Sequence, residues 1–216
     1  MPHRITFEPR TDTGRLIVLC GTDGVGKTSL MSALHTEGNA RGWRVNQLKQ
    51  PTPELRQDAY FRRMSSTMET DPTAARAAVM MAMADRLVSC RETVVPLLEA
   101  GETVIIDRYV FSGLARLGLW DPADDHSWFV EACRGLPRPD LTVLLVADED
   151  VIGRRLAERD YETTSEAAFR TVLAVQRALL GLAEDNDMTV VDTSATTVAA
   201  STARVIDHFD LHEIRA

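Results

Sequence analysis

One stretch of eight residues constrains this chain more than any other. Gly21-Thr22-Asp23-Gly24-Val25-Gly26-Lys27-Thr28 satisfies the pattern G-x-x-x-x-G-K-[ST]. It follows an apolar run at 16–20 and opens directly into the helical pattern SLMSALHTEG. From average residue frequencies, a match somewhere in a chain of this length is on the order of a one-in-a-hundred accident. A strand before and a helix after make a mere glycine turn rarer still. The glycines let the backbone curl so that successive N–H groups and the helix N-terminus face a string of phosphates. Lys27 adds a compact positive charge, and Thr28 is placed to ligate Mg²⁺. Donor phosphates are therefore expected on Gly21, Asp23, Gly24, Val25, Gly26, Lys27, Thr28 and Ser29.

A strand-loop-helix of this kind needs a parallel sheet around it, and the rest of the chain supplies one. Five β-rich apolar runs, at 16–20, 44–48, 103–106, 141–146 and 189–191, alternate with longer helical patterns. Their near-continuous hydrophobicity (LIVLC, TVII, LTVLLV) predicts strands covered on both faces. Helices are expected at about 27–40, 53–66, 73–100, 110–118, 124–134, 149–159, 164–184 and 196–212. Asp71-Pro72 reads as a helix start, Gly101 as a C-cap, and Asp121-Pro122 and Pro137-Arg138-Pro139 as loops. With 216 residues, 44% of them hydrophobic, a single α/β domain is expected over 15–216. Residues 1–14 are polar, contain two prolines and read as a loosely ordered extension.

Charge narrows the partners. The formal net charge of −8 argues against a surface built for nucleic acid or an anionic membrane. No apolar run approaches the roughly 20 residues that cross a bilayer. Cys20, Cys90 and Cys133 have neither disulfide-framework nor zinc-site spacing, so a reducing cytoplasm is the expected compartment. All but two of the basic side chains are Arg, the exceptions being Lys27 and Lys49. The guanine-reading pattern N/T-K-x-D of a GTPase is thereby excluded.

A phosphate loop alone does not choose among motors, switches and kinases. The strand at 103–106 ends in Asp107-Arg108-Tyr109, with Phe111-Ser112-Gly113 entering the next helix. Ligands of open α/β sheets bind beyond the carboxyl ends of the strands, so Asp107 and Arg108 are delivered beside the loop. Asp107 is then the acidic partner of Mg²⁺, directly or through water, and Arg108 a fork suited to a phosphate. The bland alternative is an Asp-Arg surface turn.

Taken together, DGVGKT, a Pro after the second strand, Ala-Asp-Arg in the long helix, DRYVFSG, PDLTVLLV, GRRLAERDYE and VDTS resemble the thymidylate kinase family from residue 16 onward. The resemblance implies a P-loop NTPase fold: a five-stranded parallel sheet flanked by helices, with a short lid at about 150–164. It also implies ATP as donor, Mg²⁺, a nucleoside monophosphate as acceptor, and a homodimer. Carried residue by residue, Asp23 faces the acceptor sugar's 3′-hydroxyl, Arg108 holds the acceptor phosphate, and Arg86 contacts a base carbonyl. For Asp85 an ion pair between helices is an equally simple reading, while for Arg86 the base contact is the preferred one. Lid cations that follow the transferred phosphoryl are sought among Arg154, Arg155 and Arg159, because the loop position after Asp23 is Gly24, where some members of the family have an arginine. Tyr161 matches a residue at the lid edge near the acceptor.

Three departures fall in the acceptor pocket. Ala82 stands where the family usually has a Phe that stacks on thymine. Arg116 replaces an aromatic. The Arg-x-Pro whose arginine binds the acceptor phosphate is here Lys49-Gln50-Pro51. Loss of a stacking ring costs about 1–3 kcal/mol unless Tyr60, Phe61 or a methionine replaces it. The acceptor set is thus Asp23, Lys49, Pro51, Ala82, Arg86, Arg108, Tyr109, Ser112, Gly113, Arg116 and Tyr161, with further phosphate charge sought near Arg62 and Arg63. Thymidylate is the first expectation, and a different or modified nucleotide the alternative. Met80, Met81 and Met83 read as core filling, Cys20 as a small buried residue, and His208 with His212 as a wet helix face.

Overall fold

The computed structural model describes residues 4–158 and 165–213, with side chains given up to residue 209. Five strands, β1 (Arg15–Cys20), β2 (Val45–Lys49), β3 (Thr103–Asp107), β4 (Leu141–Val146) and β5 (Thr189–Asp192), form one parallel sheet in the order β2-β3-β1-β4-β5. Alternate residues of β1 enter opposite core layers. Leu16, Val18 and Cys20 pack in one with Val104, Ile106 and Leu144, while Ile17 and Leu19 pack in the other with Ile105, Val143 and Leu145. This two-sided burial is why the strands read as unbroken apolar runs.

The helices are α1 (Lys27–Ala40), α2 (Pro53–Gln57), α3 (Ala59–Thr67), α4 (Pro72–Ser89), α5 (Val95–Glu99), α6 (Phe111–Trp120), α7 (Ser127–Ala132), α8 (Glu149–Ala157), α9 (Glu166–Ala183) and α10 (Val198–Glu213). Two expected helices are broken. The helix expected at 53–66 splits at Asp58, whose carboxylate accepts from the Phe61 amide at 2.7 Å and caps α3. The helix expected at 73–100 passes through a π-helical stretch, Cys90–Val94, before α5. Pro96 has no amide to offer the preceding turn, and the widened turn absorbs that loss.

The N-terminal segment also departs from expectation. Ile5 is buried in the core, and Phe7 stacks on Tyr109 with ring centroids 5.7 Å apart. The Glu8 amide donates to Leu136 O at 2.9 Å, and Arg10 is held between Asp12 and Asp140. Residues 4–14 are thus a packed strap rather than a loose tail. Their two apolar side chains, spaced by two, seat it among otherwise polar residues. No described helix is long and apolar enough to cross a membrane.

Candidate active site

At the carboxyl end of β1 the chain turns through Gly21 and Gly24 and enters α1 at Gly26, all three with positive φ. A β-carbon on Gly21 would lie 2.6 Å from the Leu145 carbonyl oxygen, so the approach of this loop to β4 admits only glycine. Lys27 is buried, and its Nζ donates to Thr22 O at 2.6 Å while lying 3.8 Å from Asp23 Oδ1. Burial, and then the neighbouring Arg108 charge, lower its pKa to about 8 against the opposing pull of Asp107 and Asp23. Thr28 and Ser29 are exposed on the first turn of α1.

Beyond the loop lies a cavity of about 310 Å³ lined by Gly26, Ser29, Leu145, Arg155, Thr193 and others. Arg155 closes one wall. It donates to Gly24 O (3.2 Å), Thr193 Oγ1 (2.9 Å) and Thr193 O (2.9 Å), and Thr193 Oγ1 donates in turn to Val25 O (3.0 Å). Of the lid cations, then, Arg155 grips the backbone of the phosphate loop and Arg154 sits on the exposed face of α8. Arg159 and Tyr161 lie outside the described residues, as does the rest of the lid from 159 to 164.

The β3 end sits beside this loop because Asp107 is in register with Leu19 of β1. Arg108 has φ of 65°, a left-handed conformation uncommon for a side-chain-bearing residue, and its amide donates to Leu19 O at 2.9 Å. That turn throws its guanidinium across to the loop, where Nη2 donates to Asp23 Oδ1 at 2.6 Å. Burial works against the Asp23 charge, but Arg108, Lys27 and Arg116 outweigh it and hold the carboxyl below its usual range. Asp107 Oδ1 is buried with no hydrogen-bond partner among the described residues, while Oδ2 lies 3.9 Å from Lys49 Nζ.

On the other side of the Asp23–Arg108 pair is a second cavity, of about 270 Å³. Of the residues expected at the acceptor, Asp23, Pro51, Ala82, Arg86 and Arg108 line it, as do Tyr109, Ser112, Gly113 and Arg116. Tyr109 is fully buried, with its hydroxyl donating to Pro137 O at 2.9 Å. Arg86 is also buried and donates through Nε to Gln50 Oε1 at 3.1 Å. Its neighbour Asp85 turns elsewhere, accepting from the Thr52 amide at 2.9 Å and from the Thr52 hydroxyl. The two residues of Asp85-Arg86 therefore serve different partners.

The structure places other expected residues elsewhere. Lys49 is outside the cavity, half-exposed, and directed to Asp107. Arg62 and Arg63 are exposed, Arg63 lying over the Tyr60 ring. Arg56 lines the cavity instead, its guanidinium fixed on Pro51 O (2.6 Å) and Gln50 O (3.0 Å). Gln50, Phe61, Ser65 and Met68 also line it, and of these Phe61 and a methionine were candidates to replace the missing ring. Tyr60, the other aromatic candidate, is exposed. Of Met80, Met81 and Met83, Met83 is core, Met81 is half-buried and Met80 is exposed. Burial pushes the Cys20 thiol up to about 12, in keeping with a packing role. His208 lies against Phe209, and His212 is beyond the described side chains.

A phosphate loop and an arginine-lined cavity, meeting at one carboxylate-guanidinium pair on the carboxyl edge of a parallel sheet, define a kinase of small phosphorylated acceptors. Comparison with known proteins narrows this class. A family model for thymidylate kinase matches residues 19–203. The probable thymidylate kinase of Pyrococcus abyssi is 30% identical over 171 residues, 76% of this chain and 78% of that one. That of Pyrococcus horikoshii is 30% identical over 174 residues, 79% and 83% of the two chains. The solved structure of thymidylate kinase from Candida albicans superposes with a TM-score of 0.68 at 21% identity, covering 94% of both chains. The chain belongs to the thymidylate kinase family and is a nucleoside monophosphate kinase.

Proposed function

We propose that this chain transfers the γ-phosphoryl group of ATP to thymidine 5′-monophosphate, giving the diphosphate and ADP. The observation that supports this best is the Asp23–Arg108 pair, which joins the phosphate loop to the arginine-lined cavity at 2.6 Å.

In this reading the loop amides and Lys27 hold the donor β- and γ-phosphates, and the cavity walled by Arg155 and Thr193 receives the adenosine. Residues suited to Mg²⁺ are at hand: the buried Asp107 Oδ1, unpartnered among the described residues, and the exposed Thr28 hydroxyl are both hard oxygen donors. Bound there, Mg²⁺ supplies charge that neutralises the phosphate oxygens of the donor. On the acceptor side, Arg108 and Arg56 orient the monophosphate, and Asp23 accepts a sugar hydroxyl. Arg86, backed by Gln50, faces a base carbonyl, and Phe61 offers the ring that Ala82 lacks.

The nucleophile is an oxygen of the acceptor phosphate, whose second pKa is about 6. It is already ionised at neutral pH, so the site needs positioning and charge rather than a general base. Arg155 steadies the loop through Gly24, which leaves Arg154 and Arg159 as the lid cations that follow the phosphoryl group. A homodimer and a cytoplasmic location complete the proposal, and sedimentation at assay concentration checks the first.

Incubation with ATP, Mg²⁺ and thymidylate, with products separated by ion exchange, tests the activity. Stoichiometric ADP and thymidine diphosphate are expected, and both fall to traces over the same time in Lys27→Ala. Hydrolysis of ATP without phosphorylated acceptor would sink the reading.

A further inference from the structure

The strap at 4–14 lies outside the residues matched by the family model, yet its single aromatic side chain reaches the acceptor half from behind. Phe7 stacks on Tyr109, with ring centroids 5.7 Å apart and planes 21° from parallel, and meets Phe111 edge-on at 6.3 Å. Tyr109 and Phe111 flank Val110 in the short connection that carries β3 into α6. Arg108 lies just before these two rings and Ser112 and Gly113 just after, all three in the cavity wall. Aromatic contacts of this kind have preferred geometries, so Phe7 orients the connection as well as covering it.

The strap also holds the far end of Tyr109. The Tyr109 hydroxyl donates to Pro137 O at 2.9 Å. Pro137 is paired with Glu8 in an isolated parallel bridge, in which the Glu8 amide donates to Leu136 O at 2.9 Å and the Arg138 amide to Glu8 O at 3.0 Å. Arg10 adds a bond from Nη1 to Arg138 O at 3.0 Å. Residues 7–10 therefore place both the ring of Tyr109 and the carbonyl that its hydroxyl binds.

From Tyr109 two routes lead to cavity arginines. The first is covalent: Arg108 precedes Tyr109 and has φ of 65°, a conformation that persists only where its surroundings over-determine it. A clamped ring on the next residue supplies that constraint. The second is a relay of side chains. The Tyr109 oxygen is 3.9 Å from Cys90 Sγ, Cys90 Sγ is 3.7 Å from Gln50 Nε2, and Gln50 Oε1 accepts from Arg86 Nε at 3.1 Å. Directions agree along it, because a Tyr109 proton given to Pro137 O leaves the phenol oxygen to accept from the thiol, whose sulfur accepts from Gln50. The donor loop is held by a different set, Arg155 and Thr193.

We propose that Phe7 and the Glu8–Pro137 bridge position Tyr109, and through it Arg108 and Arg86, so that the strap sets the affinity of the acceptor half and not that of the donor half. Phe7 is in this view a positioning residue that touches no ligand. The inference rests on the acceptor assignment made under the proposed function.

The test is steady-state kinetics of full-length Phe7→Ala and Phe7→Tyr proteins with ATP, Mg²⁺ and thymidylate, at a temperature well below the melting point of each. Phe7→Ala should lower kcat/KM for thymidylate about tenfold, mainly through KM, since a small displacement of positioning groups is costly even when its cause is remote. The KM for ATP should stay within a few-fold, and Phe7→Tyr, which keeps the ring, should restore the acceptor KM. Should Phe7→Ala fail to fold, Glu8→Pro decides, because it removes only the bond to Leu136 O and should raise the acceptor KM in the same selective way. A lowered melting point with unchanged kinetic constants would make the strap merely structural and overturn the inference. An equal rise in KM for both substrates overturns it too. Either result with an active unaltered protein spares the proposed function, whereas an unaltered protein that does not phosphorylate thymidylate defeats both.

Discussion

The donor and acceptor halves of this site are built by opposite means. The phosphate loop is eight consecutive residues whose job is done by backbone: three positive-φ glycines, the start of α1 and one buried ammonium. The acceptor cavity takes side chains from the phosphate loop, from the segment after β2 and from α2, α3, α4, the end of β3 and α6. A contiguous device tolerates change around it, since its geometry is local. A dispersed one depends on how every element packs, so single substitutions retune it.

Breaking the donor half should have the largest effect. Lys27→Ala is expected to reduce kcat about a thousandfold, the upper range for removing one preorganised charge from a transition state. Next comes the residue that bridges the halves. Arg108→Ala should lower kcat/KM for thymidylate about a hundredfold while leaving the KM for ATP within a few-fold, read from steady-state kinetics. Within the acceptor half, Arg56→Ala should raise the acceptor KM about tenfold, whereas Arg62→Ala should not change it measurably. An equal effect from Arg62→Ala would remove the structural distinction between the two arginines.

The smallest effect is on pH. Lys27 keeps its proton only below about 8 when no nucleotide is bound, against 10.5 for an ordinary lysine. Raising the pH from 7 to 9 removes that charge, while the triphosphate is already largely ionised at the start of the window. Affinity for ATP should therefore fall several-fold over this window, measured by calorimetry, and the fall should be absent in Lys27→Ala. The stability consequence has the opposite sign. Between about 8 and 10.5 the unfolded chain binds more protons at Lys27, so this residue favours folding more as pH rises.

The same contrast explains what the sequence made legible. The donor loop, the strand alternation and Asp107-Arg108 are local patterns, and their positions followed from spacing and from the sheet-edge rule. Arg56 was hidden because the segment 53–66 reads as one polar helix in which Arg56, Arg62 and Arg63 are equivalent. Only the cap at Asp58 turns α2 so that Arg56 faces inward and its neighbours outward. Gln50 had no signal of its own, for a buried amide reveals its purpose only through its partner, here Arg86. Lys49, a rare lysine in an arginine-rich chain, attracted attention but faces Asp107 outside the cavity. The strap at 4–14 was missed because two apolar residues among polar ones give no period long enough to read.

The central claim is that the two halves bind their ligands by separate machinery joined at Asp23 and Arg108. It is tested most directly by titrating ATP and thymidylate separately into Lys27→Ala and Arg56→Ala proteins by calorimetry. The account predicts that Lys27→Ala weakens ATP binding about tenfold or more but keeps thymidylate within a few-fold, and that Arg56→Ala does the reverse. Parallel loss of both ligands in either variant would contradict it.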